Sequence, residues 1–178
     1  MANFTTTGSD TFAAGMMLKQ STNIDHTVSP NINTTSESYT DTGIELTHVT
    51  AAASTDSYIA LDFYSGMVYQ DTAARAGRLC CTMRTVSNST YAPGEEFTTR
   101  SYLIYNYMAG GAYYIPMALK FYCGTPGEMG MPDTKSSWAA GDTLYFRMFY
   151  KRDSSSTGNW TLCHVNTTWS LSAREIAI

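Results

Sequence analysis

Strict alternation of apolar and polar residues constrains this chain more than any other feature. In "DSYIALDFYSG", Ile59, Leu61 and Phe63 fall on one side of an extended backbone and Tyr58, Ala60, Asp62 and Tyr64 on the other. Only a strand with one buried face has that period of two. "YIPMALKFY" sets Ile115, Met117, Leu119 and Phe121 against Pro116, Ala118, Lys120 and Tyr122. "TLYFRMFYKR" sets Leu144, Phe146, Met148 and Tyr150 against Tyr145, Arg147, Phe149 and Lys151. Shorter strands are expected over 44–49, 78–85, 100–108, 160–165 and 172–178. The segments between them carry the Gly, Pro, Asn, Asp and Ser of turns. Eight or more strands at this spacing predict an all-β sandwich or barrel.

Two stretches depart from the strand pattern. "DTAARAGRL", from Asp71, reads as a short helix capped by Asp71 or Thr72 and ended by Gly77. Residues 1–20, rich in Thr, Gly and Ala, read as an N-terminal arm outside the core that orders on meeting a partner. The domain proper is then expected over 21–178. No repeat of 20 to 50 residues is visible in the sequence, which disfavours a solenoid or propeller.

Composition narrows the function. Charged residues make up 15% of the chain and the net charge is -4, so the basic stripe that nucleic acid requires is missing. With neither a signal-type start nor an apolar run of membrane length, a soluble protein made in a cytoplasm is expected. The four cysteines, Cys80, Cys81, Cys123 and Cys163, lack metal-ligand spacing and read as buried free thiols. Thirteen Tyr, 7 Phe and 10 Met form an apolar surplus that subunit association could hide.

Catalytic patterns are weak. Asp41-Thr42-Gly43 matches the loop of an aspartic protease, but no apolar strand precedes it and no second copy faces it. Asp41 instead reads as a turn corner that accepts backbone N–H bonds, with Gly43 free to take a positive φ. His26, His48 and His164 carry no metal spacing, and the adjacent Glu95 and Glu96 point apart on an extended chain. No catalytic residue, metal or cofactor is expected. The candidate interaction residues are Tyr113 and Tyr114, beside the "MAGGA" loop, and Trp138.

"MLKQSTNIDHTVSPNINTTSESYTDTGIELTHVTAAASTDSYIALDFYSGM" resembles the opening of a jelly-roll domain found in tailed-phage fibres and head-attached decoration proteins. The match runs through a Ser/Thr-rich stretch, the Asp41-Thr42-Gly43 corner, an alternating strand and the "TAAASTDS" turn. The later half is similar too, through "YIPMALKFY", "GDTLYFRMFYKRDSSSTGNW" and a close on Glu175-Ile176. Departures are the Cys80-Cys81 pair and the long "GTPGEMGMPD" loop.

The resemblance implies an antiparallel double-sheet jelly roll like those of tumour-necrosis-factor and C1q-type proteins, packed as a homotrimer. It implies a non-enzymatic virion structural protein assembled in the host cytoplasm. Capsid decoration (cement) and a short head or tail fibre subunit are the expected roles, with the arm contacting a major capsid or tail protein. The alternative is the receptor-binding tip of a tail fibre that recognises a host surface glycan. Neither membrane nor nucleic acid is an expected partner.

Overall fold

The computed structural model describes residues 13–25, 32–70, 75–84, 102–106, 113–124, 138–152, 160–162 and 168–178. Ten strands order along them: β1 (Met17–Asp25), β2 (Ile32–Thr34), β3 (Thr40–Val49), β4 (Ser57–Gln70), β5 (Arg75–Arg84), β6 (Tyr102–Asn106), β7 (Tyr113–Gly124), β8 (Thr143–Arg152), β9 (Trp160–Leu162) and β10 (Trp169–Ala177). They build a six-stranded sheet, in which β4 joins β10, β7 and β9, and a four-stranded sheet in the order β3-β8-β5-β6. Every pairing is antiparallel. The molecule is therefore an all-β sandwich of two sheets.

The long pairings nest. β1 pairs β10 and β4 pairs β7 in the larger sheet, while β3 pairs β8 and β5 pairs β6 in the smaller. Early strands meet late ones; these four rungs alternate between the two sheets, while the short β2–β9 rung lies in the larger sheet with β1–β10. Such contacts join residues far apart in sequence, so no local pattern could have announced them.

Alternation delivers the core. Ile59, Leu61 and Phe63 of β4 face Leu171 and Ala173 of β10, Met117 and Phe121 of β7, and Ile44, Leu46, Leu79, Met83, Leu144 and Phe146 of the opposite sheet. Part of the aromatic and sulfur surplus is used here, within one chain. Phe63, Phe121, Phe146, Met83, Met148 and Tyr150 are each no more than 2% exposed. Among the described residues, the exposed large apolar side chains are Met16, Met17, Ile24, Val49, Tyr64 and Ile178.

The segment expected to be helical is corrected by β5. From Arg75 onward it is a strand, because its backbone bonds β6 on one side and β8 on the other. Two ladders outweigh the weak helical preference of Ala and Arg. Residues 71–74 lie outside the described residues. Met17–Gln20, expected within the arm, belong to β1 and begin its pairing with β10. Residues 1–12 lie outside the described residues.

Cys80, Cys81 and Cys123 are buried free thiols. Burial raises Cys80 to about 12, against the attraction of Lys151 for the thiolate. Burial also raises Cys81 and Cys123, well above the ordinary thiol range. With so little thiolate, they should not react. In a Cys163→Ser background, the native protein is expected to leave a thiol reagent such as DTNB unconsumed at pH 8, with three equivalents titrating after denaturation. Rapid native labelling would contradict this packing.

Candidate functional site

The most concentrated polar chemistry lies inside the sandwich, beside the edge strands β1 and β3. Glu175 occupies an inward position of β10, in the same phase as Trp169, Leu171, Ala173 and Ala177, and is fully buried. Its carboxylate accepts hydrogen bonds from Ala51 N at 2.5 Å, Ala52 N at 2.8 Å and the Ser57 hydroxyl at 2.9 Å. His48, equally buried on β3, places Nε2 3.4 Å from the carboxylate. The other ring nitrogen, Nδ1, lies 3.0 Å from Ser21 Oγ on β1. A neutral imidazole satisfies both contacts: Nε2–H donates to Glu175, and Nδ1 accepts the serine hydroxyl proton.

Burial alone would raise the Glu175 pKa. Hydrogen bonds from His48, Ala51, Ala52 and Ser57 outweigh it, and the group is held below its ordinary value. The carboxylate thus stays ionised at neutral pH and ties the 50–57 segment to β10.

Serine, imidazole and carboxylate in line are the parts that activate a serine nucleophile. Here, however, His48 and Glu175 are sealed from solvent and the carboxylate's other partners are structural. What this arrangement does is join the sheets at their open side. Asn23 extends the seam by donating from Nδ2 to the Glu45 carbonyl at 2.7 Å, covering part of an edge strand. Sequence reading missed the cluster, although its signal was present: His48 and Glu175 are titratable residues in the apolar phase of alternating strands.

Asp41 lies in an irregular stretch of β3. Between Asp41 and Glu45 the strand advances four residues while β8 advances only from Phe149 to Arg147, which is a bulge. Asp41 Oδ1 accepts the Gly43 N–H at 2.8 Å, and Gly43 adopts φ +74°. Thr42 turns inward and donates to the Met148 carbonyl at 2.7 Å. Arg147 clamps the Asp41 carboxylate, with Nη2 2.6 Å from Oδ2 and Nε 2.9 Å from Oδ1, and also reaches Glu45 at 3.1 Å. The guanidinium ties this corner of the bulge to β8. Acid proteolysis needs a second carboxylate sharing a proton.

A Cβ at Gly43 would meet no atom within 4 Å, so substitution there tests backbone strain alone. Gly43→Ala is expected to cost about 1–2 kcal/mol of unfolding free energy, read as a lower urea midpoint with an unchanged slope. An unchanged midpoint would contradict the left-handed geometry.

The candidate interaction residues separate. Trp138 is a correction: only 5% exposed, it packs in the core, donating from Nε1 to the Ala52 carbonyl at 3.1 Å and from its backbone N–H to Ser54 Oγ at 3.3 Å. Its indole fills the space beneath the 50–57 segment, so the isolated chain does not offer it to a partner. Tyr113 and Tyr114 open β7, in register with Gln70 and Tyr69. Their side chains lie outside the described residues.

The outer face of the larger sheet carries a shallow depression of about 260 Å³. Register places Ser170, Tyr64 and Ala118 in one cross-strand row over β10, β4 and β7, and Ser172, Asp62 and Lys120 in the next. Arg174, Ala60 and Tyr122 form the third row. Asp62 pairs with Arg174 Nη2 at 2.5 Å and lies 3.5 Å from Lys120 Nζ.

No protein-family model matches the chain, and no curated protein matches it. Among solved structures, one similar chain is from "Structure of infectious bursal disease virus Gt strain", at 7% identity and a TM-score of 0.28. That match covers 100% of this chain and 47% of the viral one, so the chain spans about half the length of the protein it matches. At this score the likeness fixes neither fold family nor function.

Proposed function

We propose that this chain is a non-enzymatic structural protein of a virus particle: a trimeric jelly roll on the surface of a tailed phage, serving as capsid decoration or as a short fibre subunit. The observation that carries the proposal is the nested pairing of β1 with β10, β2 with β9, β3 with β8, β4 with β7 and β5 with β6, divided between two sheets. A long antiparallel ribbon rolled into a double sheet gives this order, and rolled double sheets recur in viral coat domains.

Exposed apolar side chains support association. Met16, Met17 and Ile178 cluster where β1 begins and β10 ends, joined by backbone bonds from Gly15 to Ala177 and from Ala177 to Met16. Val49, next to the segment that Glu175 holds, is exposed at the same end. The arm before β1 departs from this end and would contact the underlying capsid or tail protein.

Copy number distinguishes the roles. Quantitative mass spectrometry of purified particles is expected to find hundreds of copies for decoration and tens or fewer for a fibre. Absence of the chain from particles would overturn the proposal.

A further inference from the structure

We infer that residues 50–57 and 138–142 form an acid-released cap over one end of the sandwich, held shut by Glu175 and able to open while both sheets stay folded. Apart from Ser57, which begins β4, none of these residues belongs to a strand. The two segments hold each other. Ser54 N donates to the Trp138 carbonyl at 3.0 Å, Thr50 N to the Asp142 carbonyl at 2.9 Å and Gly141 N to the Thr50 carbonyl at 3.1 Å. The Trp138 indole N–H reaches the Ala52 carbonyl at 3.1 Å. What fastens the pair to β10 is the Glu175 carboxylate, helped by the Ile178 N–H on the Asp56 carbonyl at 3.0 Å.

That carboxylate is surrounded by donors. Oε2 faces Ala51 N and His48 Nε2, and Oε1 faces Ala52 N and the Ser57 hydroxyl. A proton on either oxygen therefore meets an N–H of the cap already aimed at it. The ladders of β10 with β1 and β4 do not use this side chain, so the cap is the part that gives way. Opening bares Trp138 and Ala52, both buried in the closed form.

The other groups around Glu175 do not supply this response. With a second proton, His48 still donates from Nε2, and Nδ1–H turns to the Ser21 hydroxyl oxygen, so both contacts survive. Burial keeps the Cys123 thiol of β7 protonated, and Lys19, opposite Glu175 on β1, is exposed. Within the cap, Asp56 is exposed and Asp142 accepts the Ala139 N–H at 2.7 Å. Against burial, which raises it, hydrogen bonds hold Glu175 below its ordinary value. The cap is thus fully held above the ordinary carboxylate range and released as pH falls through the lower folded value.

A single folded chain carries every contact involved, so the device operates whatever the particle role. Hydrogen exchange of the full chain, read by NMR and corrected for intrinsic rates, tests it. In Glu175→Gln at neutral pH, protection at Ala51, Ala52 and the Trp138 indole is expected to fall at least about tenfold further than at Ile59 and Leu61, which β4 holds in ladders on both sides. The wild type should show the same excess loss between pH 6 and about pH 3. Asp142→Asn should keep that acid response, and Glu175→Gln should lack it. Protection at Ala51 and Ala52 that is unchanged, or that falls only in step with Ile59 and Leu61, would overturn the inference. So would an acid response that persists in Glu175→Gln and disappears in Asp142→Asn.

Discussion

Glu175→Gln is expected to lower the stability of the chain by about 1–3 kcal/mol, the cost of leaving a buried hydrogen-bonding group unsatisfied. The amide has nearly the carboxylate's shape but only one accepting oxygen. Ala51 N, Ala52 N, Ser57 Oγ and His48 Nε2 all point at Glu175. A glutamine must turn its NH2 toward at least one of these donors, leaving a buried N–H facing another N–H. Against a typical total of about 5–15 kcal/mol, that loss takes a large share of what holds the domain folded.

The same substitution should alter the response to acid. Because the folded Glu175 pKa lies below its ordinary value, its ionisation contributes stability fully above the unfolded-state pKa. That contribution disappears as pH falls through the lower folded value. Wild-type urea midpoints should therefore decline from the ordinary carboxylate range downward, while Glu175→Gln, already weakened at neutral pH, lacks this part of the decline. A neutral-pH midpoint within experimental error of wild type would show that the buried cluster does not hold the sheets together.

Trp138→Ala should be more damaging still, at about 3–5 kcal/mol for removing a buried indole. Two contributions can be separated. Trp138→Phe keeps most of the packing but strands the Ala52 carbonyl that the indole N–H now reaches at 3.1 Å, for about 1–3 kcal/mol. Since that carbonyl belongs to the segment whose N–H groups bind Glu175, the two sites share a backbone and their losses should not add. Trp138→Ala unfolding at the wild-type midpoint would restore the indole to the surface.

The contrast between Trp138 and the strands shows what the sequence could disclose. β4 and β8 were legible because a period of two specifies which side chains are hidden without reference to any partner strand. Trp138 lies between strands, where no period operates, so its burial depends on packing that local sequence does not encode. β2 spans three residues, too few to show alternation, and β1 became a strand through its ladder with β10.

Phe149 illustrates a different limit. Alternation assigned it to the outer face with Arg147 and Lys151, yet it is buried there, paired with the equally buried Cys80. Period two reports the face on which a side chain lies, but it does not report what covers that face. Glu175 marks the opposite case, since its acid in an apolar phase could have been read as a buried polar centre before any coordinates were known.

Sedimentation equilibrium of the full chain across the micromolar range tests the assembly at the centre of this account most directly. A trimer has a mass of about 59 kDa, three times the 19.6 kDa of one chain, and that mass is expected to stay unchanged on dilution. A folded species that stays at 19.6 kDa across that range would contradict it.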